Sequence, residues 1–337
     1  MSKHVSLLTV IAVSALLLAA CGAAAPESNS LVIYSGRGES LVGPLVEMFE
    51  AESGIDVEVR YGGTAEMAAT LLEEGEASPA DLLYAQDPGG LGAVAEAGLL
   101  AALPADVLNA VPAGFADPEG HWVGVSGRAR VVVYNTDTLS PADLPDDLHG
   151  FTDAQWKGLI GIAPTNGSWQ IMITALRQVW GEAATEAWLE GIMANEPVLY
   201  ENNSGIVAAV GAGEVQVGFV NHYYLYRFLA EEGESFPARN YFLPGGGPGS
   251  LVMVSGVGQL ATAANAVNAQ TFIEFLLSET AQTYFRDETF EYPVTAGVAA
   301  YAGLTPLSEL NSPDIDLADL ADLQGTVALL QSVGMLP

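Results

Sequence analysis

Apolar residues along this chain fall in short runs and then at helical spacing, over and over. Leu31 to Tyr34 (LVIY) ends in Ser35-Gly36-Arg37-Gly38 and is followed by Leu41, Leu45, Met48 and Phe49, which predicts strand, loop and helix in succession. Gly54 ends that helix, and Val57, Val59 and Tyr61 alternate as a second strand. Thr64 is placed to cap a helix through Met67, Leu71 and Leu72 that Gly75 closes. Asp81 to Ala85 (DLLYA) reads as a buried strand. Repeated strand and helix without hairpin signals predicts an α/β fold with a mostly parallel sheet covered on both faces.

The pattern restarts after Val131 to Tyr134 (VVVY). Trp156 to Ala163, Ile171 to Trp180, Ala184 to Met193, Ile206 to Ala212 and Val215 to Val220 alternate again, and the Gly-Pro-rich Leu243 to Ser250 precedes a strand-like run, Leu251 to Ser255, and a helix over Ala264 to Ser278. The length of 337 residues suits two such units. Two α/β units suggest lobes that close on a ligand by a hinge. Ligands in such sheets lie beyond the carboxyl ends of strands. That rule selects four loops: Ser35 to Ser40, Gln86 to Gly90, Thr165 to Gln170 and Asn221 to Tyr226.

Composition narrows the function. Forty-one acidic residues against 10 basic ones give a formal charge of −31, which disfavours nucleic acid and anionic lipid surfaces as partners. The single Cys forbids an internal disulfide and a Cys-rich zinc site. It stands in an informative place. Lys3 precedes an uncharged apolar run, Val5 to Ala20, too short to span a membrane, and the run ends in Leu18-Ala19-Ala20-Cys21. This resembles a bacterial lipoprotein signal: residues 1–20 are removed, Cys21 is lipidated, and residues 21–30 form a flexible tether. The expected location is extracytoplasmic, lipid-anchored to the cell membrane.

Catalysis finds little support. Beyond the leader the histidines are His121, His149 and His222, and no nucleophile elbow, Walker A, HExxH or dinucleotide fingerprint is present. A hydrolase using His121 or His222 lacks a nucleophile near either. The unusual segment is Asn221-His222-Tyr223-Tyr224-Leu225-Tyr226. Tyr223 and Tyr224 would point about 100° apart inside a helix, so both reach one ligand only at an irregular strand-to-helix junction. Phenolate is a hard oxygen donor suited to Fe(III), and a trivalent cation can displace the phenolic proton. Aromatic core packing and a sugar-stacking platform are the other readings of the same residues. Arg37, in the first strand-to-helix loop, is placed to hold a small anion. Arg128 and Arg130 are similar candidates for anion or interlobe contacts.

Six segments in order, YSGR (Tyr34 to Arg37), PADLLYAQD (Pro79 to Asp87), SGRARVVVYNT (Ser126 to Thr136), WKGLIGIAPTNGSWQ (Trp156 to Gln170), ENNSGIVAAVGAGEV (Glu201 to Val215) and NHYYLYRF (Asn221 to Phe228), make the chain resemble the ferric-ion-binding proteins of bacterial ABC importers. The likeness spans residues 31 to about 300. It implies a two-lobe, type II periplasmic binding protein fold with residues 31–130 and 253–303 in the first lobe and 131–252 and 304–337 in the second. It implies that Tyr223 and Tyr224 bind Fe(III) as the transported ligand. The loops of Ser35, Arg37 and Gly38 and of Thr165, Asn166, Gly167 and Ser168 would hold a synergistic anion such as carbonate or phosphate. Arg128, Trp169, Asn203, Asn221 and Gln86 would stand behind the site or supply a further ligand. Partners would be the permease and ATPase subunits of an ABC importer, with the chain itself a monomer. The sequence departs from the family at Gly38, Gln86 and Trp169, where members carry His, Glu or a third Tyr as ligands. Glu39, Glu201, Tyr134 and His222 are candidate substitutes. The same superfamily includes proteins for sugar phosphates, phosphonates and polyamines, which defines the alternative cargo.

Overall fold

The computed structural model describes residues 29–337. The leader and Cys21 lie outside the described residues, as does all but the end of the tether. The expected alternation is present: β1 (Ser30–Ser35), α1 (Glu39–Ser53), β2 (Asp56–Tyr61), α2 (Thr64–Glu74), β3 (Leu82–Ala85) and α3 (Pro88–Glu96) follow one another, with the short α4 (Ala105–Leu108) after them. Gly54 ends α1 at φ 72°, a left-handed conformation that costs a glycine nothing. β1 pairs in parallel with β2 and β3, placing Ile33 beside Val59 and Leu82. Leu31, Ile33, Leu82 and Leu83 are fully buried in this first core.

The VVVY run proves to be the end of a much longer strand. β4 (Val123–Asn135) is buried along all 13 residues and serves both halves of the molecule. Beyond it come β5 (Ile160–Ile162), α5 (Gly167–Trp180), α6 (Glu182–Ala194), β6 (Val198–Leu199), α7 (Asn203–Ala212), β7 (Val217–Asn221), α8 (Tyr223–Glu232), β8 (Ala238–Tyr241), β9 (Val252–Gln259), α9 (Ala266–Leu276), α10 (Glu279–Asp287), β10 (Tyr292–Pro293) and α11 (Leu323–Ser332). The sheet order is β2-β1-β3-β9-β4-β7-β5-β6, with β8 and β10 also on β4. Val123 to Ala129 pair with β9, whereas Arg130 to Tyr134 pair with β7. The neighbours of β4 therefore change at Ala129/Arg130. Every pairing made by β4 and β9 is antiparallel, because these strands carry the chain between the halves in opposite directions. The second half has a core on each face of its sheet: Trp156, Ile173, Trp188 and Phe219 on one side, Ile206, Val207, Val210 and Phe236 on the other.

The C-terminal segment departs from the expectation that residues 304–337 stay with the second half. Leu317 and Leu320 are buried in the first core, with Ile315 and Leu323 packed against it. A few residues later, Leu330 and Met335 enter the second core. Thr326 meets Thr174 of α5 at 2.8 Å, and Arg177 grips Asp322 at 2.8 Å. The segment is a strap from one half to the other. Hydrophobic periodicity predicts that it packs somewhere; it cannot say against which of two apolar surfaces.

The strap should matter to stability through its buried anchor. Leu320 is fully buried, so Leu320→Ala is expected to cost about 2–4 kcal/mol in urea unfolding of the processed protein. A loss below about 0.5 kcal/mol would show that the anchor is not seated in the core.

Candidate functional site

Four carboxyl-end loops converge as the fold rule requires, on a cleft of about 740 Å³ bordered by Gln86, Arg128, Thr165, Asn166, Asn221 and Tyr224. Gly167 and Ser168 also line it. Two of its walls are helix N-termini, those of α3 and α5, where backbone N–H groups face the space. Asn166 caps α5 by accepting the Ser168 N–H at 3.0 Å. The strap contributes Asp322, Leu323 and Gln324 to the rim.

The tyrosine pair opens α8 directly after β7. His222 already has helical backbone angles, so Tyr223 and Tyr224 are regular helix-start residues rather than part of an irregular junction. Their rings stack, 4.3 Å between centroids at 28°. Tyr224 borders the cleft, while Tyr223 lies behind it, 2% exposed. Burial first, and then the neighbouring Tyr223, hold the Tyr224 hydroxyl well above the ordinary phenol range. Arg227, one turn along α8, stands over both rings with its guanidinium 5.2 and 5.6 Å from their centroids.

Arg130 lies behind the lining residues Ser168 and Asn221. It is 1% exposed, and Nη1 donates to Ser168 Oγ (3.1 Å), Asn221 Oδ1 (3.0 Å) and Asn203 Oδ1 (3.4 Å). No carboxylate pairs with it among the described residues. Its Nε and Nη2 and the Asn221 Nδ2 have no hydrogen-bond partner. Burial pushes the Arg130 guanidinium down to about 9 against the opposing influence of Tyr224 and Tyr223, which leaves it charged at neutral pH. Asn203 completes the network, donating to Asn166 Oδ1 at 3.0 Å and accepting the Asn221 N–H at 2.9 Å. Asn166, Ser168, Asn203 and Asn221 are thus brought together, around a cation with unused donors.

Other expected site residues lie elsewhere. Arg37 does not face the cleft: it is 1% exposed, its Nη2 donates to both Glu291 oxygens (2.9 and 3.0 Å), and its Nη1 donates to Ser255 Oγ (2.6 Å) and Ser126 Oγ (3.2 Å). Ser35 is fully buried and turns back onto the Arg37 backbone, and Gly38 is an exposed N-cap of α1. Only a carboxylate 254 residues away explains the diversion of Arg37. Arg128 does reach the cleft, donating to the Gln86 carbonyl with Glu291 at 3.9 Å. Trp169, 1% exposed, packs on Trp188 and Phe219 in the second core rather than lining the cleft. Tyr134 is buried in the same core, and Glu39 and Glu201 are exposed. His222 Nδ1 accepts the Ala129 N–H at 3.1 Å, so Nε2 carries the proton and donates to the Phe290 carbonyl at 2.7 Å. Burial pushes His222 down to about 4, and it remains neutral. The sequence reading passed over Asp87, which ends the PADLLYAQD segment and lines the cleft.

Comparison with known proteins places this geometry. A family model described as bacterial extracellular solute-binding protein matches residues 44–311. The Fe(3+)-binding periplasmic protein of Serratia marcescens is 35% identical over 325 residues, covering 96% of this chain and 96% of that protein. Iron-bound HitA from Pseudomonas aeruginosa superposes with a TM-score of 0.85 at 34% identity, covering 90% of this chain and 99% of that one. The Trichodesmium protein IdiA (FutA), solved with iron and citrate, has a TM-score of 0.79 at 29% identity, covering 90% of this chain and 99% of that one.

The buried pair beside the cleft yields a stability prediction. Burial works to raise the Glu291 carboxyl, but the charges of Arg37 and Arg128 and hydrogen bonds from Arg37 and Thr289 hold it below the ordinary carboxylate range. Its contribution is therefore full above the unfolded value and is lost as pH falls toward the folded one. Glu291→Gln leaves two buried guanidinium groups without their anion and should cost about 3–5 kcal/mol at pH 7. In urea titrations the gap between wild type and variant should narrow on going from pH 7 to pH 3. An equal gap at both would exclude the carboxylate as its source.

Proposed function

The chain belongs to the bacterial extracellular solute-binding proteins, and on that premise we propose that it captures Fe(III) outside the cytoplasmic membrane and delivers it to an ABC permease with its ATPase. Proteins of this family carry cargo and catalyse no reaction. The observation that carries the iron reading is the stacked Tyr223–Tyr224 pair at the start of α8, one ring bordering the cleft, with the buried, carboxylate-free Arg130 behind the lining residues Ser168 and Asn221. The named cargo of the relatives above, ferric iron, favours this reading over an organic anion or polyamine.

The chemistry follows from the state of the phenols. A hydroxyl held above the ordinary phenol range is neutral in the empty protein, and Fe(III) binds by expelling the protons of both tyrosines. Two phenolates leave one metal charge unbalanced beside Arg130 and Arg128. An anion such as carbonate or phosphate, seated on the free Arg130 donors, Asn221 Nδ2 and the α5 N-terminus, offsets these charges. Arg130 takes the role that the sequence had suggested for Arg37.

Residues 31–130 with 253–303, and 131–252, act as lobes that pivot on β4 and β9, and the C-terminal strap is shared between them. A lipid on Cys21 holds the mature, monomeric protein at the membrane through its tether. Cys21→Ser is expected to move the protein from the detergent phase to the aqueous phase in Triton X-114 partitioning. Retention in the detergent phase would refute lipidation at Cys21.

The iron reading is tested by stripping the mature protein with chelator and titrating it with ferric citrate. A tyrosinate-to-iron charge-transfer band saturating at one equivalent is expected, lost in the Tyr223→Phe/Tyr224→Phe double variant. Arg130→Gln should keep the band but weaken iron binding by about 10- to 100-fold, with less response to added carbonate or phosphate. Absence of the band in the wild type would sink the iron assignment.

A further inference from the structure

Two residues other than glycine have positive φ among the described residues, Glu196 at 49° and Phe290 at 57°. Glu196 is exposed just beyond the end of α6, an ordinary place for that conformation. Phe290 is different. It closes the turn after α10, and a left-handed backbone is unfavourable for a bulky side chain unless its surroundings hold it there. What holds it is α8. The Phe290 carbonyl accepts the His222 Nε2 proton at 2.7 Å, and its ring stacks on Tyr226, 5.8 Å between centroids at 27°. Tyr301 meets the same ring edge-on at 5.0 Å.

These contacts join the two halves. Phe285 before the turn and Val294 after it are buried in the first core, whereas Leu225 of α8 is buried in the second half. His222 and Tyr226 are four residues apart, so they share one face of α8, and neither borders the cleft. Between them in sequence stand Tyr223 and Tyr224. His222 Nδ1 also accepts the N–H of Ala129, where β4 changes neighbours, so the tie lies beside the pivot rather than across the mouth of the cleft. Tyr226 donates to the Gly303 carbonyl at 3.1 Å.

The next residue along the turn is Glu291, which holds Arg37 and stands 3.9 Å from Arg128, a cation bordering the cleft. Consecutive residues thus reach the site by two routes, Phe290 through its carbonyl to the tyrosine helix and Glu291 through its carboxylate to Arg128. A change of φ at Phe290 swings its carbonyl and Glu291 together relative to α10. Return to the ordinary helical or extended range would take both from their partners.

We infer that His222 and Tyr226 are positioning residues for the ferric site, locking the tyrosine helix onto the Phe290–Glu291 turn of the opposite half. The phenol oxygens and Arg128 are thereby set relative to one another before the metal arrives, and the strained backbone of Phe290 is the cost of that arrangement. This rests on the iron reading above.

The test uses the mature protein, ferric citrate and paired variants. Asn carries its carbonyl oxygen where Nδ1 stood, so His222→Asn keeps an acceptor for Ala129 and cuts the tie to Phe290. Gln carries its amide nitrogen where Nε2 stood, so His222→Gln keeps the tie. His222→Asn should lose iron to citrate about 10- to 100-fold more readily, with the tyrosinate charge-transfer band displaced in wavelength. His222→Gln should recover most of both effects. Tyr226→Leu should lose iron about 10-fold more readily, and Tyr226→Phe, which keeps the stacking, should recover part of that. Thermal melts of the iron-free proteins check folding; if His222→Asn does not fold, the Tyr226 pair decides. Equal losses within each pair would assign the effect to general destabilisation and overturn the inference. Wild-type affinity and band in His222→Asn and Tyr226→Leu would overturn it as well, leaving the iron reading standing. No band in the wild type would instead remove the iron reading itself.

Discussion

The whole arrangement depends on charges that β4 carries through the middle of the molecule. Arg128 and Arg130 are two residues apart on a strand buried from end to end, and so project from the same face where the strand changes neighbours. A guanidinium in such a place must find oxygen. Arg128 finds the Gln86 carbonyl and the fringe of Glu291; Arg130 finds only neutral side-chain oxygens. Three of the eight arginines in a chain of charge −31 are thus withdrawn into the centre, with Arg37 the third. Glu291 and the cleft aspartate Asp87 are two acids against three guanidinium groups. The centre of the protein therefore carries positive charge in the empty state, and an anion is the natural complement.

That excess explains why phenols can serve as ligands in a buried setting. Tyr224, buried beside its neighbour, keeps its proton, as the direction of its shift shows. Near the guanidinium groups of Arg130, Arg128 and Arg227, the phenolate forms cost less to create once a trivalent cation competes for the oxygens. The same guanidinium groups repel a bare metal. Under the proposed iron reading, cation, phenolates and anion are each unfavourable guests alone and favourable together, which is why that reading pairs an anion with the metal.

Much of this was legible in the sequence, and what escaped has a common cause. Local signals were sound: the LVIY, DLLYA and VQVGFV runs are strands, the Gly54 and Gly75 stops hold, and the loops after β1, β3, β5 and β7 meet as the carboxyl-end rule requires. Asn166, Ser168, Asn203 and Asn221, named separately in the sequence, share one hydrogen-bond network. Misplaced residues are those whose environment is decided by a distant partner. Arg37 looked like a loop arginine free to bind an anion until Glu291 claimed it. Trp169 sits in a ligand loop by sequence, but at the helix position that faces Trp188 and Phe219. Leu317 and Leu320 followed the second half in sequence and the first in space.

The helix termini complete the electrostatic logic. The N-termini of α3, α5 and α8 carry Asp87, the anion seat at Asn166–Ser168 and the tyrosine pair. A helix N-terminus favours negative charge, and the effect fades within the first turn. These helix starts share a common space, and α3 belongs to a different half from α5 and α8. The strap, anchored by Leu320 in one half and Thr326 in the other, bridges the two along the rim of the cleft and ties the separation to its own rearrangement. Under the proposed reading, release of the cargo requires no change in the tyrosines themselves: moving one half away from the other exposes the charges at the site to water, where their mutual attraction is weaker.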